Sequence, residues 1–178
     1  MRFNFFYAGL LVWAGCTTQT QTPQSIHQVQ DKYQKDKPKV NLSTVRLGLD
    51  VLIDDKLELI RNKNIGLVTN NSGIDNKGVS NYERLMEIKD ISINVIFSPE
   101  HGLFGEAAAG EKVDYNGQIK TLPKIVSLYG DNRKPTQTQM EDIDIIIYDI
   151  QDIGARFYTY ISTLGMVMES ASKYGVKV

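Results

Sequence analysis

Apolar runs alternate with mixed segments along most of this chain. Four of the runs are predicted to be buried strands: residues 47–52, 64–70, 93–97 and 143–148. The run at 143–148 is the clearest, because it is continuous and β-branched, as expected of a strand buried on both faces. Strands that alternate with helices favour parallel βαβ units with right-handed crossovers. The pattern therefore predicts an α/β fold with a parallel sheet and flanking helices.

Helical patterns occupy several segments between these runs. Residues 54–61 and 81–88 carry apolar side chains at helical spacing, and residues 158–174 form the longest such stretch. Gly175 is predicted to end that helix. Residues 176–178 have the character of a further strand that has only begun. The sequence is therefore expected to be an N-terminal fragment of a larger enzyme, with an incomplete sheet.

Composition limits the class of partner. Of the 178 residues, 42% are hydrophobic, and the formal net charge is −1. These values are typical of a globular domain, and no basic excess indicates a nucleic-acid surface. No nucleic-acid partner is predicted.

The N-terminus has the layout of a secretory signal. Arg2 precedes an apolar stretch at 3–13, and Ala14-Gly15-Cys16 resembles the lipobox of bacterial lipoproteins. Residues 1–16 are therefore predicted to be a lipoprotein signal peptide lipidated at Cys16, and the polar residues 17–44 a flexible tether. The folded part is predicted at 45–178, in the cell envelope. Plain secretion with an incidental cysteine, or an apolar leader on an intracellular protein, are the alternatives.

Polar side chains follow three of the predicted strands. In open parallel sheets, ligands bind outside the carboxyl ends of the strands, so these groups are expected to share one edge. A carboxylate and an imidazole side by side, as in the run 98–102 (SPEHG), are costly groups to place there for stability alone. The candidate site residues are Asn70, Glu100, His101, Asp149, Gln151, Asp152, Arg156 and Tyr158.

The residue types favour carboxylate chemistry at this edge. The sequence contains no Gly-x-Gly-x-x-Gly after the first strand, no Walker motif and no Gly-x-Ser-x-Gly elbow. A single histidine in the folded part is a poor ligand set for zinc, so no metal is predicted. Paired carboxylates suit a glycosidase, with Glu100 as an acid of raised pKa and Asp149 or Asp152 as its partner. An amidase or esterase would need a nucleophile or metal that the sequence does not display.

Several long segments resemble one family. LGLDVLIDD, NIGLVTNNSGID, VIFSPEHGLFGEAAAGE, LPKIVSLYGDNRKPT and IDIIIYDIQDIGARFYTYISTLGMVMESA are similar to the exo-β-N-acetylmuramidase (NamZ) family, glycoside hydrolase family 171, from about residue 47 to 178. The resemblance implies a Rossmann-like catalytic domain, of which 45–178 are the N-terminal part, followed by a smaller subdomain. It also implies removal of N-acetylmuramic acid (MurNAc) from the non-reducing end of MurNAc-GlcNAc saccharides of peptidoglycan, in cell-wall recycling, without a nucleotide cofactor.

The resemblance also implies roles for the candidate residues. Glu100 becomes the candidate acid, and His101 positions it or binds substrate. Arg156 is expected to bind the lactyl carboxylate of the muramyl residue, and Asn70 or Gln151 the sugar hydroxyls or acetamido group. The competing class is a carbohydrate-binding lipoprotein that holds muropeptides without cleaving them.

Structural alternatives exist for several of these side chains. Asp152 could pair with Arg156 across one turn, and Tyr158 and Tyr160 could pack on a helix face. Glu106 and Glu111 of the long loop at 102–121 are expected to be solvated, although Glu111 could reach the site if the loop folds over it. For Tyr129 and Arg133 as well, the sequence does not decide between a solvated position and a place in the site.

Overall fold

The computed structural model describes residues 45–113, 115 and 121–178. The predicted signal peptide, Cys16 and the whole predicted tether lie outside these residues. The elements, in chain order, are α1 Gly48–Asp55, a 3-10 turn Leu57–Leu59, β1 Asn64–Thr69, α2 Asn81–Met86, β2 Ser92–Ser98, β3 Lys124–Ser127, α3 Gln137–Met140, β4 Ile145–Asp149 and α4 Tyr160–Tyr174. In the part of the chain so described, no helix is both long and apolar enough to cross a membrane.

The four strands form one parallel sheet in the order β3-β2-β1-β4. Val68 of β1 pairs with Phe97 on one side and with Tyr148 on the other, and Thr69 pairs with Asp149. This register brings the ends of the three longer strands to one edge. The predicted α/β class is confirmed.

Alternate side chains of β1 serve the two faces of the sheet, as the two-residue period of a strand requires. Ile65 and Leu67 pack with Leu49 of α1, with Ile60 directly after the 3-10 turn, and with Leu85 of α2. The opposite face is covered by other elements. Its cluster includes Val68 and Phe97 from the strands and Met140, Val167 and Ala171 from α3 and α4.

The predicted strand at 47–52 is wrong, because this segment forms helix α1. Leu49 is buried, and Leu52 and Ile53 pack against the same cluster. Their spacing of three and four residues is that of a helix face. The helix predicted at 54–61 is reduced to the end of α1 and the 3-10 turn. The sheet gains its fourth strand from β3, within an apolar run that the strand prediction did not include.

The predicted end of the last helix is confirmed. Helix α4 ends at Gly175, which adopts a left-handed conformation with φ of 75°, a conformation that glycine adopts without strain. Beyond it, the backbone oxygen of Lys177 accepts a hydrogen bond of 2.7 Å from the Ile146 amide. Lys177 also forms a parallel bridge with Ile145. A further strand thus begins to pair beside β4.

Candidate active site

The carboxyl ends of β1 and β4 are joined by hydrogen bonds. Thr69 Oγ1 donates to the backbone oxygen of Asp149 at 2.9 Å. Beyond the strands, the Gln151 amide donates to Ser72 Oγ at 2.8 Å, and Ser72 Oγ donates to Asn70 Oδ1 at 2.6 Å. The loops after these two strands therefore form one bonded surface, with Asn70 buried in it.

Glu100, which follows β2, accepts hydrogen bonds from distant segments. Thr159 Oγ1 donates to its Oε2 at 2.8 Å, and the Gly110 amide donates to its Oε1 at 3.2 Å. Burial acts to raise the pKa of Glu100, but the bonds from Thr159, Gly110 and the Tyr129 hydroxyl, with the nearby His101, lower it overall. The predicted raised pKa is therefore wrong, because the sequence did not reveal these donors.

His101 adopts a backbone conformation that few residues other than glycine adopt. Its φ is 74°, a left-handed value that costs free energy outside glycine and is concentrated at functional sites. Its ring is fixed by a 3.0 Å hydrogen bond between Nδ1 and the Ala107 oxygen. Because a carbonyl oxygen only accepts, Nδ1 carries the proton, and Nε2 is left to face other partners.

Glu100 and His101 line a cavity of about 260 Å³ together with an aromatic wall. The Phe157 ring is 82% exposed and lies 5.5 Å from the ring of Tyr158. Tyr158 and Tyr160 meet edge to face at 6.1 Å. The lining residues are Glu100, His101, Ala109, Phe157, Tyr158, Thr159 and Tyr160. A carboxylate and an imidazole therefore face three aromatic rings across one opening.

The two candidate aspartates differ in their surroundings. Asp149 Oδ2 accepts a hydrogen bond of 2.7 Å from Asn81 Nδ2, and the same nitrogen donates to Thr69 Oγ1 at 2.7 Å. Asp149 thus anchors the buried amide of Asn81 beneath the surface. Asp152 is exposed, and its Oδ1 accepts from the Gly154 amide at 2.6 Å. Of the two, Asp152 faces the solvent side of the site.

Tyr160 connects these groups. Burial raises the pKa of Tyr160, a hydrogen bond with Asn70 lowers it, and the charges of Glu100 and Asp152 raise it further. Its hydroxyl therefore lies near the amide and within electrostatic range of both carboxylates. Tyr160 is also the first residue of α4 and packs edge to face against Tyr158, so helix-face packing stays an alternative role for it.

The remaining predicted side chains lie around the opening. Arg156 is exposed, and it forms no ion pair with Asp152 in the described part of the chain. The structural alternative of an Asp152–Arg156 pair is therefore wrong. Gln151 is exposed beside them. Tyr158 precedes α4 and lies on the cavity wall, so packing on a helix face does not apply to it.

Two acidic side chains accept hydrogen bonds within the described part of the long loop. Glu106 accepts hydrogen bonds from the Phe104 amide at 3.0 Å and from the Tyr115 hydroxyl at 3.1 Å. Glu111 accepts from the Ala108 amide at 3.0 Å. Both are exposed, as predicted. They shape the loop that delivers the Gly110 amide to the site.

Three residues near the candidate site were absent from the set predicted from the sequence. Thr159 and Phe157 were not proposed, and Tyr129 was left open. Tyr129 also lines a larger cavity of about 540 Å³ along β3, whereas Arg133 donates from Nε to the Gly130 oxygen at 3.2 Å. The available signal was position: Phe157 and Thr159 stand where α4 begins, just after β4 and therefore at the ligand edge of the sheet.

Comparisons with known proteins identify the family of this chain. The family model described as "Exo-beta-N-acetylmuramidase NamZ, N-terminal" matches residues 65–178. A curated relative, the peptidoglycan beta-N-acetylmuramidase NamZ of Bacillus subtilis (strain 168), is 37% identical over 171 residues. That alignment covers 96% of this chain and 39% of the relative, so the chain spans about two fifths of the relative's length.

Two solved structures share the fold. Both are DUF1343 family proteins from Bacteroides fragilis NCTC 9343. One is 37% identical with a TM-score of 0.66, covering 74% of this chain and 32% of its own. The other is 31% identical with a TM-score of 0.57, covering 74% of this chain and 33% of its own. With the family model matching well over half of its residues, the chain belongs to the exo-beta-N-acetylmuramidase NamZ family.

Proposed function

We propose that this chain provides the strand-edge part of an exo-acting glycosidase site that releases MurNAc from the non-reducing end of peptidoglycan fragments. The observation that carries the proposal is the cavity in which Glu100 and His101 face Phe157, Tyr158 and Tyr160. Ligand sites combine apolar walls with a few fixed polar groups, and this cavity has both. The family relationship gives the reaction class.

The aromatic wall suits a saccharide. The faces of Phe157 and Tyr158 are apolar and can contact the C–H face of a sugar ring. A hydroxyl-rich ring also needs hydrogen-bonding groups at its rim, which Asn70 and Gln151 supply in this proposal. The exposed Arg156 is assigned to the lactyl carboxylate of MurNAc, because a guanidinium binds a carboxylate through two parallel hydrogen bonds.

The three candidate carboxylates have different roles in this proposal. Glu100 lies at the cavity and takes part in the chemistry. Asp152 is the stronger candidate for the second carboxylate, because Asp152 and Glu100 both lie close enough to Tyr160 for their charges to raise its pKa. Asp149 is assigned a supporting role, because its Oδ2 is occupied by Asn81.

The test uses the complete protein with a MurNAc-GlcNAc disaccharide and follows free MurNAc by mass spectrometry. Glu100→Gln removes the carboxylate with little change in shape and is expected to reduce release at least about 100-fold. Glu141→Gln, at an exposed position after α3, is the matched control and is expected to retain activity. Release that survives Glu100→Gln would contradict the assignment of Glu100.

Binding without cleavage is the second candidate, and the donors around Glu100 favour it. A carboxylate that accepts several hydrogen bonds and has a lowered pKa is well suited to accept further bonds from sugar hydroxyls. Calorimetry with the disaccharide separates the two candidates. Binding by a folded wild-type protein without MurNAc release would replace the glycosidase with a muropeptide-binding module.

We further infer an exported lipoprotein of the cell envelope that acts in cell-wall turnover and is anchored at Cys16. The Ala14-Gly15-Cys16 motif after an apolar leader supports this inference. Metabolic labelling with a palmitate analogue tests it. Label on the wild-type protein and none on Cys16→Ser is the expected result, whereas an unlabelled wild type would leave plain secretion.

A further inference from the structure

The Glu100 carboxylate, just after β2, accepts hydrogen bonds from segments that are distant in the sequence. Thr159 reaches it from the start of α4, and Gly110 reaches it from the long loop. The Tyr129 hydroxyl approaches from the segment after β3. The three donors come from three different segments, so the orientation of this carboxylate depends on how those segments pack together.

Each of these contacts suits the ionised form of Glu100. An amide and two hydroxyls donate, and a carboxylate accepts through either oxygen, whereas a protonated carboxyl gives up part of that capacity. Thr159 is also the N-cap residue of the 15-residue helix α4. The N-terminal end of a helix carries partial positive charge and stabilises a nearby anion.

Thr159 has no competing role as a cap. Its side chain makes no capping hydrogen bond to the helix. It instead donates to Glu100, with 59 residues of chain between the two. Ser, Thr, Asp and Asn at an N-cap usually bond the backbone of the first turn. This hydroxyl is therefore directed by its bond to Glu100 and not by capping of the helix.

We propose that Thr159 is a positioning residue, which fixes Glu100 as an ionised carboxylate facing the cavity, and that Tyr129 assists it. The catalytic consequence depends on the proposed glycosidase function. Within that function, Glu100 is the carboxylate that stabilises positive charge developing on the sugar, and another group donates the proton. The lowered pKa of Glu100 agrees with this division.

The kinetic test compares Thr159→Val, Thr159→Ser and Tyr129→Phe in the complete protein, with Thr138→Val on the exposed side of α3 as a matched control. Thr159→Val is expected to lower kcat about tenfold with little change in KM, because a lost bond to a charged group acts on the reacting carboxylate. Thr159→Ser keeps the hydroxyl and is expected to restore kcat. The acidic limb of the pH profile is expected to move to higher pH in Thr159→Val, to move less in Tyr129→Phe, and to stay in place in Thr159→Ser and Thr138→Val.

A readout without substrate separates this inference from the proposed function. Carbon-13 NMR of labelled glutamate, assigned with Glu100→Gln, follows the titration of Glu100 directly. The groups that face or influence it in the described chain are His101, Tyr129 and Tyr160. Thr159→Val is expected to raise the pKa of Glu100, and Tyr129→Phe to raise it less.

The outcomes are distinct. An unchanged Glu100 titration in folded Thr159→Val and Tyr129→Phe would overturn the positioning role, whatever the activity. A shifted titration in a protein that releases no MurNAc would keep the positioning role and reject the glycosidase. Failure of Thr159→Ser to restore kcat in a folded, active protein would contradict the role of the hydroxyl. Circular dichroism confirms the fold of each variant.

Discussion

The body of the sheet and its carboxyl edge are built by different rules. In the body, Ile65, Leu67 and Val68 of β1 are fully buried and pack against helices on both faces. At the edge, His101 holds a left-handed backbone and the Phe157 ring is left in solvent. The body gains stability from apolar burial, whereas the edge retains groups that cost stability. The same strands thus supply a rigid support and the chemistry placed at its end.

Two phenylalanines test this difference most strongly. Phe97 is fully buried in the sheet, and Phe157 is exposed on the cavity wall. Phe97→Ala is expected to lower the free energy of unfolding by about 3–5 kcal/mol, because it opens a cavity in packed surroundings. Phe157→Ala is expected to change it by less than about 0.5 kcal/mol. Urea denaturation of both variants measures the effect.

The opposite ranking is expected in saccharide binding. Phe157→Ala should weaken binding of the MurNAc-GlcNAc disaccharide in calorimetry, because the ring belongs to the aromatic wall. Similar stability losses in the two variants would contradict the distinction between body and edge. Unchanged binding by Phe157→Ala would remove the ring from the proposed sugar site.

A pair of glycines makes a smaller test of the same comparison. A Cβ on Gly73, in the loop after β1, would lie 2.3 Å from Asn81 Nδ2, 2.4 Å from Thr69 Oγ1 and 2.9 Å from the Asp149 oxygen. Gly73→Ala is therefore expected to cost about 1–3 kcal/mol of unfolding free energy and to disturb the support of Asp149. Thermal unfolding measures this cost.

Gly165 provides the control for that substitution. It lies within α4, and a Cβ there would meet nothing within 4 Å. Gly165→Ala is expected to stabilise the protein by about 0.5–1 kcal/mol, because alanine loses less backbone entropy in a helix. If both substitutions changed the midpoint temperature in the same direction, close packing at the edge would not explain the effect of Gly73→Ala.

The sequence revealed most of the sheet because burial leaves a periodic signature. The apolar runs of β1, β2 and β4 identified those strands, and Gly175 identified the end of α4. The segment at 47–52 was predicted wrongly because it fits two patterns. Apolar residues alternate in it as in a strand, and Leu49, Leu52 and Ile53 also form one face of a helix. Only packing against the sheet selects between the two patterns. Strand β3, with four residues and two half-buried positions, gave a weak pattern.

The sequence predicted where the candidate site residues lie in the sheet, but not the electrostatics around them. The rule that ligands bind beyond the carboxyl ends of parallel strands placed Asn70, Glu100 and Asp149 at one edge. The pKa of Glu100 had the wrong predicted direction, because its donors arrive from Gly110 and Thr159. Contacts across 59 residues leave no local pattern in a single sequence.

Asp75 is a second carboxylate with a lowered pKa, and its substitution is expected to have the smallest effect on stability. Its charge supports the fold, whereas the charge of Glu100 belongs to the candidate site. Asp75 Oδ1 accepts hydrogen bonds of 2.8 Å from the amides of Lys77 and Val79, and Arg84 Nε lies 3.0 Å from its Oδ2. The bond from Val79 is the main cause of the lowered pKa of Asp75, and burial opposes it. The turn between β1 and α2 therefore depends on this charge.

The pH dependence has a defined sign. A carboxylate whose pKa is lowered by folding stabilises the native state above its unfolded pKa, and this contribution is lost as the pH falls through the folded value. Urea denaturation at pH 7 and pH 3 should therefore show a smaller acid-induced loss in Asp75→Asn than in the wild type. Asp131→Asn is the control, because Asp131 pairs with Lys112 on the exposed surface and is expected to matter little. Equal acid-induced losses in wild type and Asp75→Asn would show that the charge of Asp75 does not support the turn.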